Sequence, residues 1–239
     1  MVFTHLKRLK MAKVKFSALI SEMRNKLNGS VFSRNRGGAY LRNKVTPLNP
    51  QTTAQVEARS LLASFSQAWR ALTQVQRDAW NAAVSNWTTT DVFGDSVKPT
   101  GATLFIRLNI NISIAGGSVI NTPPAPVGVE ALTLLELEAL EPGSVLTMDF
   151  LPGSVPTGVS MVVEMTPCLS PGISNANSQF RVIEVLSEGV PTPATLSGPY
   201  VNKFGPLVAG QKVFVRAKMI NVTTGETSQK LVANAIVIG

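Results

Sequence analysis

GSVFSRNRGGAYLRNKVTPLNPQTTAQVEARSLLASFSQAWRALTQVQRDAWNAAVSNW, residues 29–87, changes its period partway along. In the first part, GSVFSRNR and AYLRNKV flank Gly37-Gly38. Two short polar–apolar runs across such a pair predict a β-hairpin. Its apolar members are Val31, Tyr40, Leu41 and Val45, and Arg34, Arg36, Arg42 and Lys44 line the ribbon. A two-stranded ribbon is marginal in water, so this one is expected to need a neighbour or a partner. Pro47 and Pro50 bracket a helix-free connector, and beyond it the repeat lengthens. Ala54, Ala58, Leu61/Leu62, Phe65, Ala68/Trp69 and Leu72 recur every three or four residues, which predicts an amphipathic helix of about five turns. Thr73-Gln74-Val75-Gln76 has the form of a capping box, in which the Thr hydroxyl and the Gln side chain satisfy each other's free backbone N–H groups. A second helix follows with Val75, Ala79/Trp80, Ala83/Val84 and Trp87 on its apolar face. The connection is so short that the two helices must form a tight hairpin or corner. All three tryptophans, Trp69, Trp80 and Trp87, fall on this pair. At roughly 200 Å² of apolar surface each, they can centre a small core together with Phe65.

Outward from this stretch the signals weaken. KVKFSA (13–18) has a faint strand alternation, residues 19–28 are ambiguous, and Asn28-Gly29 is a turn signal. Met11 begins a shorter reading, MAKVKF, under which residues 1–10 are an upstream extension. Residues 88–100 read as loop. Leu104, Phe105, Leu108 and Ile112 predict a third helix after Gly101; the alternative is a strand, because LFIRLNINISI also alternates. Gly116-Gly117 and the Pro-rich run to Pro126 mark a boundary. Past it, apolar runs at 130–138, 144–151, 158–166, 180–186, 194–201, 211–220 and 230–238 alternate with Gly/Pro turns, which predicts seven strands of a β-sandwich. The expected fold class is α+β in two domains. Residues 1–28 form a basic arm and 29–115 a hairpin with a small helical bundle. Residues 116–126 are a linker, and 127–239 an all-β sandwich.

Charge is unevenly placed. The chain of 239 residues carries +8 overall. Residues 1–50 hold eleven lysines and arginines against the single acid Glu22, a net +10, so the other 189 residues sum to −2. Such a segment suits phosphates or an acidic protein surface. With 44% hydrophobic and 15% charged residues the chain can build real cores and is not a disordered tail. Cys168 is the only cysteine, which excludes an intrachain disulfide and favours a cytosolic or virion setting. No apolar run approaches the roughly 18 residues of a membrane span.

Chemistry-bearing patterns are sparse. His5 is the only histidine, so Ser–His catalysis lacks its base. Glu136 and Glu138 share one face of a predicted strand, as a solvated sheet face does. Asp91 and Asp95 flank a Gly94 turn without the Asp/Asn-rich run of a calcium loop. Arg36-Gly37-Gly38 lacks the Gly-Lys-Ser/Thr and the strand-to-helix context of a phosphate-binding loop. No catalytic, cofactor or metal residues are therefore expected. The candidate partner or anion contacts are Arg34, Arg36, Arg42, Lys44 and Tyr40, with Phe32 and Tyr40 as stacking groups should the ribbon track phosphates. Contact with an acidic protein surface is the favoured reading, because no recognised nucleic-acid module is present.

Two resemblances add to this. PVGVEALTLLEL, SVLTMDFLPG and LVAGQKVFVRAKMINVTTGETS resemble the first, second and sixth strands and last hairpin of a fibronectin type III or Ig-like module, over roughly residues 124–239. Phe150 stands where that family has a core Trp, and Val213 where it has its corner Tyr. Val213, Val215 and Ala217 would alternate inward, with Thr224-Gly225 at the turn. The second resemblance covers about residues 12–115. Gly29-Ser30-Val31, Ser33 to Arg42, Thr46 to Thr52, and Gln55, Arg59, Phe65 to Arg70, Thr73, Gln76, Arg77 and Trp80 are similar to a recurrent module of uncharacterised phage and prophage proteins, especially of Bacteroidetes phages. It implies a non-enzymatic virion component of the capsid, neck or tail, made in the host bacterial cytoplasm. It also implies other virion proteins as partners, many copies in a symmetric assembly, and no membrane. The alternative is a nucleic-acid-binding protein that uses the arginine ribbon. A carbohydrate-binding sandwich is disfavoured, since Tyr200 is the only Tyr or Trp of the second domain.

Overall fold

The computed structural model describes residues 11–17, 20, 22–35, 37–46, 49–141 and 143–239. The expectations for His5, Arg36 and an upstream extension at 1–10 lie outside these residues. Among the described residues are four α-helices and thirteen strands in four antiparallel sheets, a mixed α+β fold that is mostly sheet.

The chain divides into two compact units, Met1–Ala58 with Thr88–Lys98, and Arg59–Trp87 with Pro99–Gly239. These bounds differ from the divisions expected at 29, 116 and 127. The helical core and the C-terminal sheets fall in one unit, and the hairpin falls in the other.

The first unit holds β1 (Met11–Lys13), β2 (Asn25–Leu27), β3 (Ser30–Asn35) and β4 (Gly38–Asn43) in the order β1-β4-β3-β2. The expected hairpin is β3–β4, in register from Ser30↔Asn43 to Asn35↔Gly38. Its neighbours come from the chain itself: β1 flanks β4 and β2 flanks β3. The loop-like segment 88–100 contains a second, minimal hairpin, β5 (Thr89–Thr90) with β6 (Ser96–Val97).

In the second unit the helical signals are realised. The helix α1 spans Thr53–Ala71, so its first residues belong to the first unit, and α2 spans Gln74–Ala83. Thr73 closes the capping box: its N–H donates to Gln76 Oε1 at 2.9 Å, and its hydroxyl accepts from the Gln76 N–H at 3.3 Å. The third helix, α3, runs Gly101–Ile114 behind a Thr100 cap. Leu104, Phe105, Leu108 and Ile112 are fully buried on it, which settles the helix–strand ambiguity for the helix. Leu72, Trp80, Val84 and Trp87 pack with Leu104, Phe105 and Leu108, and half-buried Trp69 joins them. Trp80 meets the Phe105 ring edge-on at 5.3 Å, and Trp69 lies 5.6 Å from the same ring. Phe65 is buried as well, outside that cluster. Val75 departs from the expected apolar face: it lies in the first turn of α2 and is 79% exposed.

Two sheets share the larger core. One has the order β11-β8-β7 and the other β10-β9-β12-β13. Their strands are β7 (Leu134–Leu140), β8 (Val145–Leu151), β9 (Val159–Met165), β10 (Arg181–Leu186), β11 (Ala194–Thr195), β12 (Lys212–Asn221) and β13 (Leu231–Ile236). Leu146, Met148 and Phe150 from one sheet meet Met161, Val163, Met165, Val213, Val215, Ala217 and Met219 from the other. The inward alternation of Val213, Val215 and Ala217 follows from the period of two along β12. On the outer face, Arg216 lies over the Phe180 ring at 4.3 Å and its Nε donates to Glu164 Oε2 at 2.5 Å.

One expected strand is mostly helix. In 194–201 only Ala194–Thr195 pairs, and α4 (Ser197–Phe204) follows. Leu196, Tyr200 and Phe204 are spaced by four, and Leu196 and Tyr200 are fully buried, so the apolar stripe is helical. Pro199 sits in the first turn, where a missing N–H costs no hydrogen bond.

The segment read as a linker is bound on both sides. Asn109, fully buried, donates from Nδ2 to the carbonyls of Phe105 and Ile120 and accepts the Ile120 N–H on Oδ1 at 2.8 Å. Trp80 Nε1 donates to the Asn121 carbonyl at 2.9 Å. Toward the sheets, Ser160 Oγ donates to the Ala115 carbonyl at 3.1 Å and Asn111 Nδ2 to the Gly225 carbonyl at 2.8 Å. These bonds make the helices and sheets one unit.

Candidate functional site: a cationic four-stranded sheet

The hairpin register decides which charges can act together. Cross-strand partners share a face, and neighbours along a strand alternate. Val31 stands opposite Arg42, and Ser33 opposite Tyr40. Lys26 pairs with Val31, and Lys13 with Tyr40. One face thus carries Lys13, Lys26, Val31, Ser33, Tyr40 and Arg42. The other carries Leu27, Phe32, Arg34, Ala39 and Leu41, because Arg34 pairs with Ala39 and Phe32 with Leu41. This corrects the picture of a single arginine-lined ribbon: Arg34 and Arg42 lie on opposite faces. Lys44 follows the strand, its N–H donating to the Gly29 carbonyl at 2.8 Å.

Several of the charges are paired within the unit. Arg24 donates from Nε and Nη2 to Glu22 Oε1 at 2.9 and 2.8 Å, and Arg34 Nη1 approaches the same oxygen at 3.5 Å. The hydrogen bonds from Arg24, helped by Arg34, hold the Glu22 carboxyl below the usual glutamate range although burial pushes the other way. Two guanidinium groups share one carboxylate, so a positive charge is left over. It lies beside a cleft of about 450 Å³ lined by Arg24, Phe32, Ser33, Arg34 and Asn35 among others.

At the other edge, Lys13 Nζ donates to Asp91 Oδ2, and Lys15 pairs with Asp95 at 3.0 Å while lying over the Phe93 ring. Asp91 Oδ1 accepts from the N–H groups of Phe93 at 2.7 Å and Asp95 at 3.1 Å. The acids weighed as a metal loop are therefore clips for the first strand. Among the described residues no group of three His, Cys, Asp or Glu side chains gathers to hold a metal.

The Lys13 clip has a pH signature. The hydrogen bond from Lys13, with the two backbone donors, lowers the Asp91 carboxyl from the ordinary 3.8. A depressed carboxyl stabilises the fold above its unfolded value and loses that contribution as pH falls through its folded value. The clip is thus fully present above pH 3.8 and is released only as pH falls through the lower, folded value. We expect the Val14 amide, which donates to the Ala39 carbonyl at 2.9 Å beside this pair, to exchange faster below that pH after correction for the intrinsic rate. In Asp91→Asn the faster exchange should appear already at pH 7. An unchanged Val14 rate in that variant would show that the pair holds nothing in place.

What remains is the accessible charge. Lys26, Arg42 and Lys44 have no ion-pair partner among the described residues. Lys26 and Arg42 stand in one cross-strand row on either side of Val31, about 10 Å apart at the backbone. Tyr40 is one residue-pair along on the same face. The accessible candidate residues on this face are therefore Lys26, Tyr40 and Arg42. Lys26 escaped the sequence reading because its strand is three residues long and carries no periodic signal. Trp69, Trp80, Trp87 and Phe65 are core or half-buried residues of the second unit, as their helical spacing implies. No helix among the described residues is long and apolar enough to cross a membrane. No protein-family model, curated protein or solved structure matches this chain.

Proposed function

We propose that the chain is a non-enzymatic structural component of a bacteriophage virion, associated with capsid, neck or tail. It anchors through its cationic N-terminal sheet and displays or packs a fibronectin type III-like sandwich. The observation that carries this reading is the unpaired Lys26–Arg42 row on a sheet whose two edge strands are only three residues long. Such a sheet can accept a partner's strand on an edge while its charges meet acidic side chains. All three residues of β2 are exposed. The similarity of residues 12–115 to phage modules points the same way. For the second part, the division into three strands against four, with Phe150 buried on the second strand of the sandwich, supports a fibronectin-like reading. Many copies in a symmetric particle would add weak contacts through multivalency.

The test is mass spectrometry of gradient-purified particles from cells that carry the gene. The chain is expected in several copies per particle, and its absence from intact particles would overturn the proposal. Lys26→Glu with Arg42→Glu should cut incorporation at least tenfold while tryptophan fluorescence, which reports only the second unit, stays native.

The same row supports the second reading, nucleic-acid binding. There the purified protein binds a labelled oligonucleotide at low salt, and affinity falls steeply as salt rises because counterions are released. If the double variant keeps its place in particles but loses oligonucleotide binding, the row serves nucleic-acid binding and not anchoring.

A further inference from the structure

The two sheets of the larger core turn their outer faces away from each other, and those faces carry opposite charge. On β7 and β8 the residues that alternate with the core positions include Glu136, Glu138 and Asp149. Glu136 stands directly opposite Asp149, an unfavourable like-charge pair. No cation among the described residues comes within ion-pair distance of any of the three acids. Glu138 and Asp149 accept only from hydroxyls, of Thr147 at 3.3 Å and of Thr192 at 3.1 Å. Leu134 and Leu151, opposed across the same two strands, are exposed beside the acids.

The outer face of the other sheet is cationic. Arg216, Lys218 and Lys230 gather around one acid, Glu164. Arg216 Nε donates to Glu164 Oε2 at 2.5 Å, and Lys230 Nζ approaches the same oxygen at 3.7 Å. Lys218 has no ion-pair partner among the described residues. Burial, and after it the neighbouring Lys230, pushes its ammonium below the ordinary lysine value although Glu164 acts the other way. Val182 and Val232 are exposed at the two ends of the cross-strand row Val182–Glu164–Arg216–Val232. Each face thus crowds like charges that a surface of the opposite sign would relieve, with exposed apolar side chains beside them to bury.

We propose that the acidic face of one copy, at Glu136, Glu138 and Asp149, docks on the cationic face of a second copy, at Arg216, Lys218 and Lys230. The two surfaces differ, so the contact is heterologous. Every pairing leaves one free face of each kind, and growth continues until a ring closes or a filament runs on. A two-fold contact through either face would set acid on acid or cation on cation. The inference rests on the two faces alone and holds whether or not the chain belongs to a particle.

Sedimentation velocity of the full chain provides the test. The wild type is expected to self-associate with a dissociation constant on the order of 10 µM. That association should weaken about tenfold or more as salt rises from about 0.1 to about 1 M and the screening length shrinks from about 10 to about 3 Å. Two variants each close one face: Glu136→Lys with Glu138→Lys, and Lys218→Gln with Lys230→Glu. Each alone should sediment as a monomer with native tryptophan fluorescence. Mixed in equal amounts they should form a dimer that grows no further, because the first keeps its cationic face and the second its acidic face. Should the second variant lose native fluorescence, Lys230→Glu alone, a change at an exposed residue, takes its place. A wild type that stays monomeric at every concentration overturns the proposal, and so does a mixture of folded variants that fails to dimerise. Association abolished by Lys26→Glu with Arg42→Glu but untouched by the Lys218 and Lys230 changes also overturns it, and assigns the acidic face to the N-terminal sheet of a neighbouring copy.

Discussion

Gly225→Ala is expected to destabilise the protein by about 2–5 kcal/mol, a large share of a typical domain's 5–15 kcal/mol. Two costs meet at this position. The residue has φ +73°, in the left-handed region, where a Cβ costs roughly 1–2 kcal/mol. A Cβ there would also stand 2.4 Å from the Leu108 carbonyl oxygen and 2.9 Å from its carbon and Cα. Those are backbone atoms of a buried helix, so relief requires the turn to lift off α3, at about 1–3 kcal/mol. Lifting would also stretch the 2.8 Å bond from Asn111 Nδ2 to the Gly225 carbonyl. Two other glycines separate the terms. Gly210 has φ +74° with nothing near its missing Cβ, so Gly210→Ala should show the conformational cost alone. At Gly117 the φ is ordinary but a Cβ would meet the Val222 carbonyl oxygen at 2.6 Å, so Gly117→Ala should show the steric cost alone. Urea midpoints followed by tryptophan fluorescence should rank Gly225→Ala lowest of the three. If it is no less stable than Gly210→Ala, the helix and the turn are not pressed together in solution.

That contact also shows where the sequence is readable and where it is silent. The Thr73–Gln76 box, the three helices and the inward residues of β12 are local patterns, set by neighbours one to four positions away, and they appear in the structure as the residues dictate. The Asn28-Gly29 turn and the β3–β4 hairpin are of the same kind. Long-range pairings leave no such trace. Lys13 meets Asp91 across 78 positions and Asn111 meets Gly225 across 114. Neither pair differs in composition from a solvated surface. The short flanking strands left little trace: the faint alternation at 13–18 only overlaps β1 at Lys13, and β2 gave no signal, since three residues cannot display a period. The β3–β4 register already places Arg34 and Arg42 on opposite faces, and β2 adds Lys26, so the accessible row becomes Lys26–Arg42 rather than a line of arginines. At 194–201 the failure was one of period. An apolar run broken by Gly198-Pro199 reads as a short strand, and only the burial of Leu196 and Tyr200 four residues apart shows the helix. The run near 116–126 is a different case. Gly and Pro signal a turn faithfully, but they do not say whether the turning chain is free. Here Asn109 and Trp80 bind it.

Trp80→Ala should be the most damaging change in the helical core, at about 3–5 kcal/mol. The side chain is fully buried between α2 and α3, edge-on to Phe105, so its removal leaves a cavity lined by Val84, Leu104 and Phe105 rather than a surface that water can fill. The Asn121 carbonyl loses its indole donor as well. Trp80→Phe keeps most of the ring contact and loses the donor, so about 1–3 kcal/mol is expected from the unpaired carbonyl and the smaller ring. Trp69→Ala should cost less than Trp80→Ala, because Trp69 is half-buried and makes no such bond. The form of the transition is as informative as its midpoint. Helices and sheets share one unit, joined by Ser160 to Ala115, Asn111 to Gly225, and Gly117 against Val222. A lesion at Trp80 should therefore lower a single unfolding transition, with far-ultraviolet circular dichroism and the fluorescence of the remaining tryptophans moving together. If instead the helices melt first and the sheets unfold later at the wild-type midpoint, the two cores are energetically separate, and the bonds between them position the parts without stabilising either.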